Sequence, residues 1–189
     1  SMKGSMNLEL IISSDKKGAF MEPGNLKTLD KFSKDLLQKR KGELFIGQTS
    51  SLVDVIKETN KALNHNDPAH YRIPDDPNLL AQELMLFENA GADDLEAITN
   101  PDYSLVRLSI KLPYADAIKY IVFVREIVDE AKEAFGPEFM ISHTGSVTIF
   151  FETIYAAMSS LANSYVIALV IISLLMILFV SDLKLGLLS

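Results

Sequence analysis

Val106-Arg107-Leu108-Ser109-Ile110-Lys111-Leu112 alternates apolar and polar residues without exception. Successive side chains of a strand point to opposite faces, so this stretch predicts a strand with one buried and one solvated face. Past Pro113, Asp116 to Phe135 carries Ala117, Ile121, Val124, Val128, Ala131 and Phe135 at steps of four, three, four, three and four. That rhythm is a helix with one apolar stripe. Gly136-Pro137 stops it, and Phe139 to Ser142 reads as the next strand. The unit is strand, helix, strand.

An earlier stretch repeats this order. Leu8, Leu10 and Ile12 alternate with Asn7, Glu9 and Ser13, Ile11 being the one inconsistent position. Asp15 to Gly18 turns the chain, and Pro23-Gly24 precedes a helix with Leu26, Leu29, Phe32, Leu36 and Leu37 on one side. This helix is expected to close near Gly42 behind Lys39, Arg40 and Lys41. Those cations suit the negative end of a helix dipole, which explains them better than an anion site does. Glu43 to Gln48 reads as a short second strand.

Between the two units lies helical sequence, about residues 51–100. Ser51-Leu52-Val53-Asp54 has the form of a capping box, opening a helix with Leu52, Ile56, Thr59 and Leu63 on one face. His65 to Asp76 is a polar loop. Asp76-Pro77 starts another helix through Leu79, Leu80, Leu84 and Phe87 to Gly91, and a short acidic helix from Asp93 to Thr99 is expected to follow. With this insertion removed, the order is that of an α+β, ferredoxin-like split βαβ domain, one sheet covered on one face by two helices. What covers the other face does not follow from the pattern.

The rest of the chain is different in kind. Of 43 charged residues only Asp182 and Lys184 follow Glu152, and Leu161 to Val180 reads LANSYVIALVIISLLMILFV. Twenty helical residues span roughly 30 Å, the thickness of a bilayer core. From Ile167 to Val180 every face is apolar except at Ser173, whereas a buried core helix keeps a polar stripe. A transmembrane helix is the expectation, and its place in the chain excludes a signal peptide. This segment explains a mean hydropathy of +0.17 beside 23% charged residues.

Lys184 follows the span closely, and the last basic residue before it is Lys132, so the globular portion is placed outside the cytoplasm. The ending Leu185-Gly186-Leu187-Leu188-Ser189 turns apolar again, as though a second span were about to start. The expected divisions are 1–5, a cloning remnant; 6–147, an extracytoplasmic α+β domain; 148–181, a long apolar helix with its span at 161–180; and 182–189, a cytoplasmic loop leading to a further span.

Several function classes are excluded. The aliphatic content rules out a wholly disordered chain, zero Cys rules out a disulfide scaffold, and a net charge of −7 argues against nucleic acid as a partner. No catalytic constellation appears, so the chain is not read as an enzyme, and no cofactor or metal is expected. His65 and His70 lie five apart in a polar loop and read as solvated; His143 has no partner ligands nearby in sequence. The pairs Asp75-Asp76 and Asp93-Asp94 sit at expected helix starts, where capping explains them. Glu152 is the only charge between His143 and Asp182. It reads first as an interfacial residue, and second as a group at the entry of a transport path.

A family resemblance rests on four stretches taken in order. They are Gln48-Thr49-Ser50-Ser51-Leu52-Val53-Asp54-Val55-Ile56-Lys57, Tyr71-Arg72-Ile73-Pro74, Thr144-Gly145-Ser146, and Phe179-Val180-Ser181-Asp182-Leu183-Lys184-Leu185-Gly186-Leu187-Leu188-Ser189. In this order the chain resembles one half-loop of the resistance-nodulation-division (RND) exporters, in the hydrophobe/amphiphile efflux-3 branch, similar to lipid and hopanoid exporters. It departs from that family in lacking an Arg near Val180 and in having Leu183, beside Lys184, where the family has a basic residue.

The resemblance implies a fragment of a proton-motive-force-driven exporter that moves hydrophobic or amphiphilic molecules out of the membrane. Residues 6–147 would be a porter domain, and the span the second helix of its half. The Gly-Leu-Leu-Ser ending favours the second half. The proton-relay acids of such exporters lie on spans beyond this chain. Implied partners are the lipid bilayer, a lipid-like small molecule and the other spans of a multi-pass inner-membrane protein, with a homo-oligomer left open. Phe150, Phe151, Glu152, Tyr155 and Met158, on the rising segment Thr148 to Leu161, are the substrate-path candidates; packing against the porter sheet is their plainer explanation. Two other classes compete: a single-span, membrane-anchored extracytoplasmic binding or sensing domain, and a tail-anchored protein with a cytosolic domain.

Overall fold

A computed structural model describes residues 5–180, with the backbone alone described at 5, 90–94, 146–148 and 180. The expected loop at 182–189 lies outside the described residues. The chain divides into two units, Ser1–Ile149 and Phe150–Ser189.

The first unit is built on a four-stranded antiparallel sheet in the order β4-β5-β1-β6, where β1 is Ser5–Ser13, β4 Gln48–Ser50, β5 Leu105–Pro113 and β6 Met140–Thr144. β1 and β5 pair along their whole length, from Ser5 opposite Pro113 to Ser13 opposite Leu105. Ser5, assigned to the remnant from sequence, therefore belongs to the sheet. Helix α1 (Pro23–Gln38) stands between β1 and β4, and α4 (Ala117–Phe135) between β5 and β6. Each of these crossovers returns parallel to its starting strand, with one antiparallel strand in between. Helices α2 (Leu52–Leu63) and α3 (Pro77–Glu96) form the insertion between β4 and β5.

Period-2 patterning decides which sheet face is dry. Met6, Leu8, Leu10 and Ile12 of β1 and Val106, Leu108, Ile110 and Leu112 of β5 are all buried. The buried stripes of α1 (Leu26, Leu29, Phe32, Leu36) and α4 (Tyr120, Phe123, Val124, Ile127, Ala131) close over that face. An edge-to-face pair, Phe32–Phe135 at 6.0 Å, joins the two helices, and Phe139 meets Phe135 in a second edge-to-face pair at 5.6 Å. The opposite face is polar: Ser109 Oγ donates to Glu9 Oε1 at 3.1 Å and to Asn7 Oδ1 at 3.2 Å.

Four local expectations need correction. Helix α1 stops at Gln38 rather than near Gly42, because Lys39 turns extended and Arg40–Lys41 (β2) pairs with Leu44–Phe45 (β3). Gly42, at φ +62°, makes the two-residue turn of this hairpin, a conformation that other residues adopt only with strain. The cations leave the helix end: Lys39 pairs with Glu130 and Lys41 with Glu126, both on α4. Second, the strand expected over Glu43 to Gln48 is split. Its first half sits in the hairpin, and the strand of the main sheet begins only at Gln48.

Third, α2 has the expected capping box, with Val53 N–H donating to Ser51 Oγ and Ser51 N–H to Asp54 Oδ2. Its buried face, however, runs through Leu52, Val53, Ile56, Lys57 and Asn60, while Leu63 is 49% exposed. Two polar residues occupy the inner face because each has a partner there: Lys57 pairs with Asp30 of α1, and Asn60 Nδ2 donates to the Arg72 carbonyl at 2.9 Å. Fourth, α3 continues through Gly91 to Glu96 as a single helix, so Asp93-Asp94 lies inside a helix and not at a start. Asp76 does cap α3, accepting from Asn78 N–H at 2.9 Å.

The second unit is helical. Helix α5 (Ser146–Val180) follows β6 with one residue between them, and the most apolar 18-residue window within Ile149–Phe179 has a mean hydropathy of 2.5. This is one helix long and apolar enough to cross a membrane.

Candidate functional site

Helix geometry sorts the five path candidates. At about 100° per residue, Phe151, Tyr155 and Met158 project within roughly 60° of one another, so they form one stripe. Phe150 flanks it on one side and Glu152 on the other. Phe150, Glu152, Tyr155 and Met158 are exposed and Phe151 is half-buried, with the Phe150 and Phe151 rings 6.0 Å apart. Thr153, Ser160 and Ser164 occupy the opposite side, where Ser164 Oγ donates to the Ser160 carbonyl at 2.9 Å. The start of α5 is thus two-faced, aromatic and thioether against small and hydroxyl. Such a stripe offers soft apolar contact to a flexible hydrophobic molecule.

Glu152 precedes Leu161 by about two and a half turns of the same helix. Beyond it the amphipathic character disappears. Between Leu161 and Phe179 the large apolar side chains point in every direction and, apart from the half-buried Ile177, are exposed, up to 84% at Phe179. Covering that surface with hydrocarbon is worth on the order of 20 kcal/mol.

The first unit holds a polar constellation that no spacing in the sequence announces. Asp30 of α1 accepts from Lys57 of α2 and, at 2.9 Å, from Lys34 one helical turn along α1. Burial alone would raise the Asp30 carboxyl, but these two ammonium groups hold it below its ordinary value. Nearby, Lys27 binds Asp75 and keeps that carboxyl low as well. The Tyr71 ring lies 5.7 Å from the Lys57 ammonium and 5.8 Å from that of Lys61, within cation–π range. Sequence singles out Tyr71-Arg72-Ile73-Pro74, Lys57 and Asp75 in this group, each for another reason, and does not bring them together. The lysines are spread over two helices, and none stands in a run.

Glu83 of α3 is also unannounced. It is 2% exposed, and neither carboxylate oxygen has a hydrogen-bond partner among the described residues. Burial pushes this carboxyl up from its ordinary value. Of the histidines, His70 lies 3.5 Å from Asp67 in a short 3-10 turn, and His143 is on β6.

No protein-family model matches the chain, and no curated protein matches it.

Proposed function

We propose that the chain is a porter-type domain with its following transmembrane helix, from an RND-type exporter that moves hydrophobic or amphiphilic, lipid-like molecules. The observation that carries this reading is the join between sheet and apolar helix. Gly145 alone separates β6 from α5, so the last strand feeds a helix that runs on without interruption to Val180. The strand order β4-β5-β1-β6 with its two crossovers supports reading the first unit as a ferredoxin-like split βαβ domain.

The length of α5 supports the transport reading over a plain anchor. Thirty-five residues extend about 52 Å, whereas a bilayer core takes about 30 Å. With residues 161–180 in the bilayer, about four turns rise above it, carrying Phe151, Tyr155 and Met158. An amphiphile leaving the membrane would meet that stripe first. On this reading the first unit is extracytoplasmic, the protein is multi-pass in the inner membrane, and other spans cover α5.

No cysteine occurs among these 189 residues, so the test requires only that any cysteine elsewhere in the full-length protein be replaced. In cells expressing the natural gene, Glu43→Cys should react with a membrane-impermeant maleimide from outside, and Leu183→Cys only after permeabilisation. Reversed labelling sinks the orientation. Reading the gene on either side should show further spans. A stop codon directly after Ser189 together with a lone leader would sink the exporter and leave a single-span anchored binding domain.

A further inference from the structure

A concavity of about 440 Å³ opens where α1, α2 and the loop before α3 meet. Four cations line it, Lys27, Lys34, Lys57 and Arg72, against two carboxylates, Asp30 and Asp75. Asp30 is shared between Lys34 and Lys57, Asp75 pairs with Lys27 and is also lowered by the more distant Arg72, and Arg72 comes within ion-pair distance of no carboxylate among the described residues. Two positive charges are therefore left over, in a chain whose net charge is −7.

This surplus differs from a scatter of surface lysines. Lys57 is 6% exposed, and burying an ammonium costs several kcal/mol before pairing repays it. Its position is fixed by Asp30 below and the Tyr71 ring beside it. Arg72 extends from the loop whose carbonyl is tied to Asn60. Ile73, buried next to it, and Tyr71 add an apolar wall to an otherwise polar hollow. A concave site, a fixed cation and a charge opposite in sign to the whole molecule point to an anionic ligand.

The size of the surplus selects the anion. A carboxylate or phosphodiester brings one negative charge and leaves one cation unanswered. A phosphate monoester carries about −1.5 to −2 at neutral pH, with three acceptor oxygens for ammonium and guanidinium donors. We propose that this hollow binds a phosphate monoester group, carried by a soluble phosphate or by a lipid headgroup of the phosphatidic acid type. The proposal goes beyond the exporter reading and does not depend on it, because every residue involved belongs to the first unit.

The whole chain in a non-ionic detergent is titrated calorimetrically at low ionic strength with inorganic phosphate. A second titration uses short-chain phosphatidic acid, with short-chain phosphatidylcholine as its reference. Saturable binding of one equivalent is expected from phosphate, from phosphatidic acid, or from both, and none from phosphatidylcholine. Phosphate binding alone identifies a soluble ligand, and phosphatidic acid alone identifies a headgroup. Arg72→Gln and Lys34→Gln, both at exposed positions, should each weaken binding about tenfold or more, as loss of a charged hydrogen bond does. Lys132→Gln on α4 should leave it unchanged. No saturable binding of either probe up to roughly 10 mM, or binding that both hollow variants leave intact, overturns the proposal.

Discussion

Helices α4 and α5 share their apolar residue types, Ile, Val, Ala and Phe, and place them in opposite ways. In α4 the apolar residues recur every three or four positions, and Tyr120, Phe123, Val124, Ile127 and Ala131 are buried against their own domain. In α5 they occupy every position from Ile167 to Val180 except Ser173, and the segment long enough to cross a membrane has no buried residue in its most apolar window. A stripe can be satisfied by one protein surface. A helix apolar all round needs an apolar environment on all sides, which one small domain does not supply.

Three measurements would break or sharpen this contrast, taken from the largest expected effect to the smallest. Phe123→Ala in α4 should destabilise the first unit by about 3–5 kcal/mol, because it leaves a cavity under the sheet. Chemical denaturation followed by circular dichroism reads this. Leu175→Ala in α5 should leave the same transition in place, and an equal loss from both would erase the distinction.

Val170→Arg should raise the cost of membrane insertion of α5 by about 2.5–3.5 kcal/mol. A glycosylation-tag insertion assay measures it. Insertion unchanged by an arginine at this position would show that lipid does not surround the helix.

The smallest effect concerns a polar exception inside the first unit. Glu83 is buried without a hydrogen bond among the described residues, whereas Glu152 of α5 is exposed. The folded-state pKa of Glu83 is raised, so between its ordinary value and the raised one the folded chain holds a proton that the unfolded chain has lost. Stability contributed by this group is present at acid pH and falls as pH rises through that window. Glu83→Gln should therefore stabilise the unit at neutral pH by about 1–3 kcal/mol, and the gain should shrink below the ordinary carboxylate pKa. Melting curves across pH test it, and a gain that grows with acidity would reverse the sign.

Much of the fold was legible because its signals are local. The alternation at Val106–Leu112 and the spacing along Ala117–Phe135 yielded elements that the structure contains within one or two residues at each end. The capping box at Ser51 and the cap at Asp76 were equally readable, since each is a contact between neighbours in the chain. The misreadings have a common cause. Lys39 to Lys41 looked like a helix end until Glu126 and Glu130, far along the chain, took up two of those charges. The inner face of α2 was assigned to Thr59 and Leu63 because hydropathy alone puts Lys57 outside.

The sequence by itself determined that an acidic α+β domain carries a helical insertion and is followed by an apolar helix of membrane length. Periodicity and charge distribution suffice for that, being properties of contiguous residues. Only the tertiary structure decided that β5 and β1 lie at the centre of the sheet, that Glu83 is buried, and that four cations converge on one hollow. Strand pairing and charge neutralisation depend on which distant residues meet, and Lys57 reaches Asp30 across 27 positions of sequence.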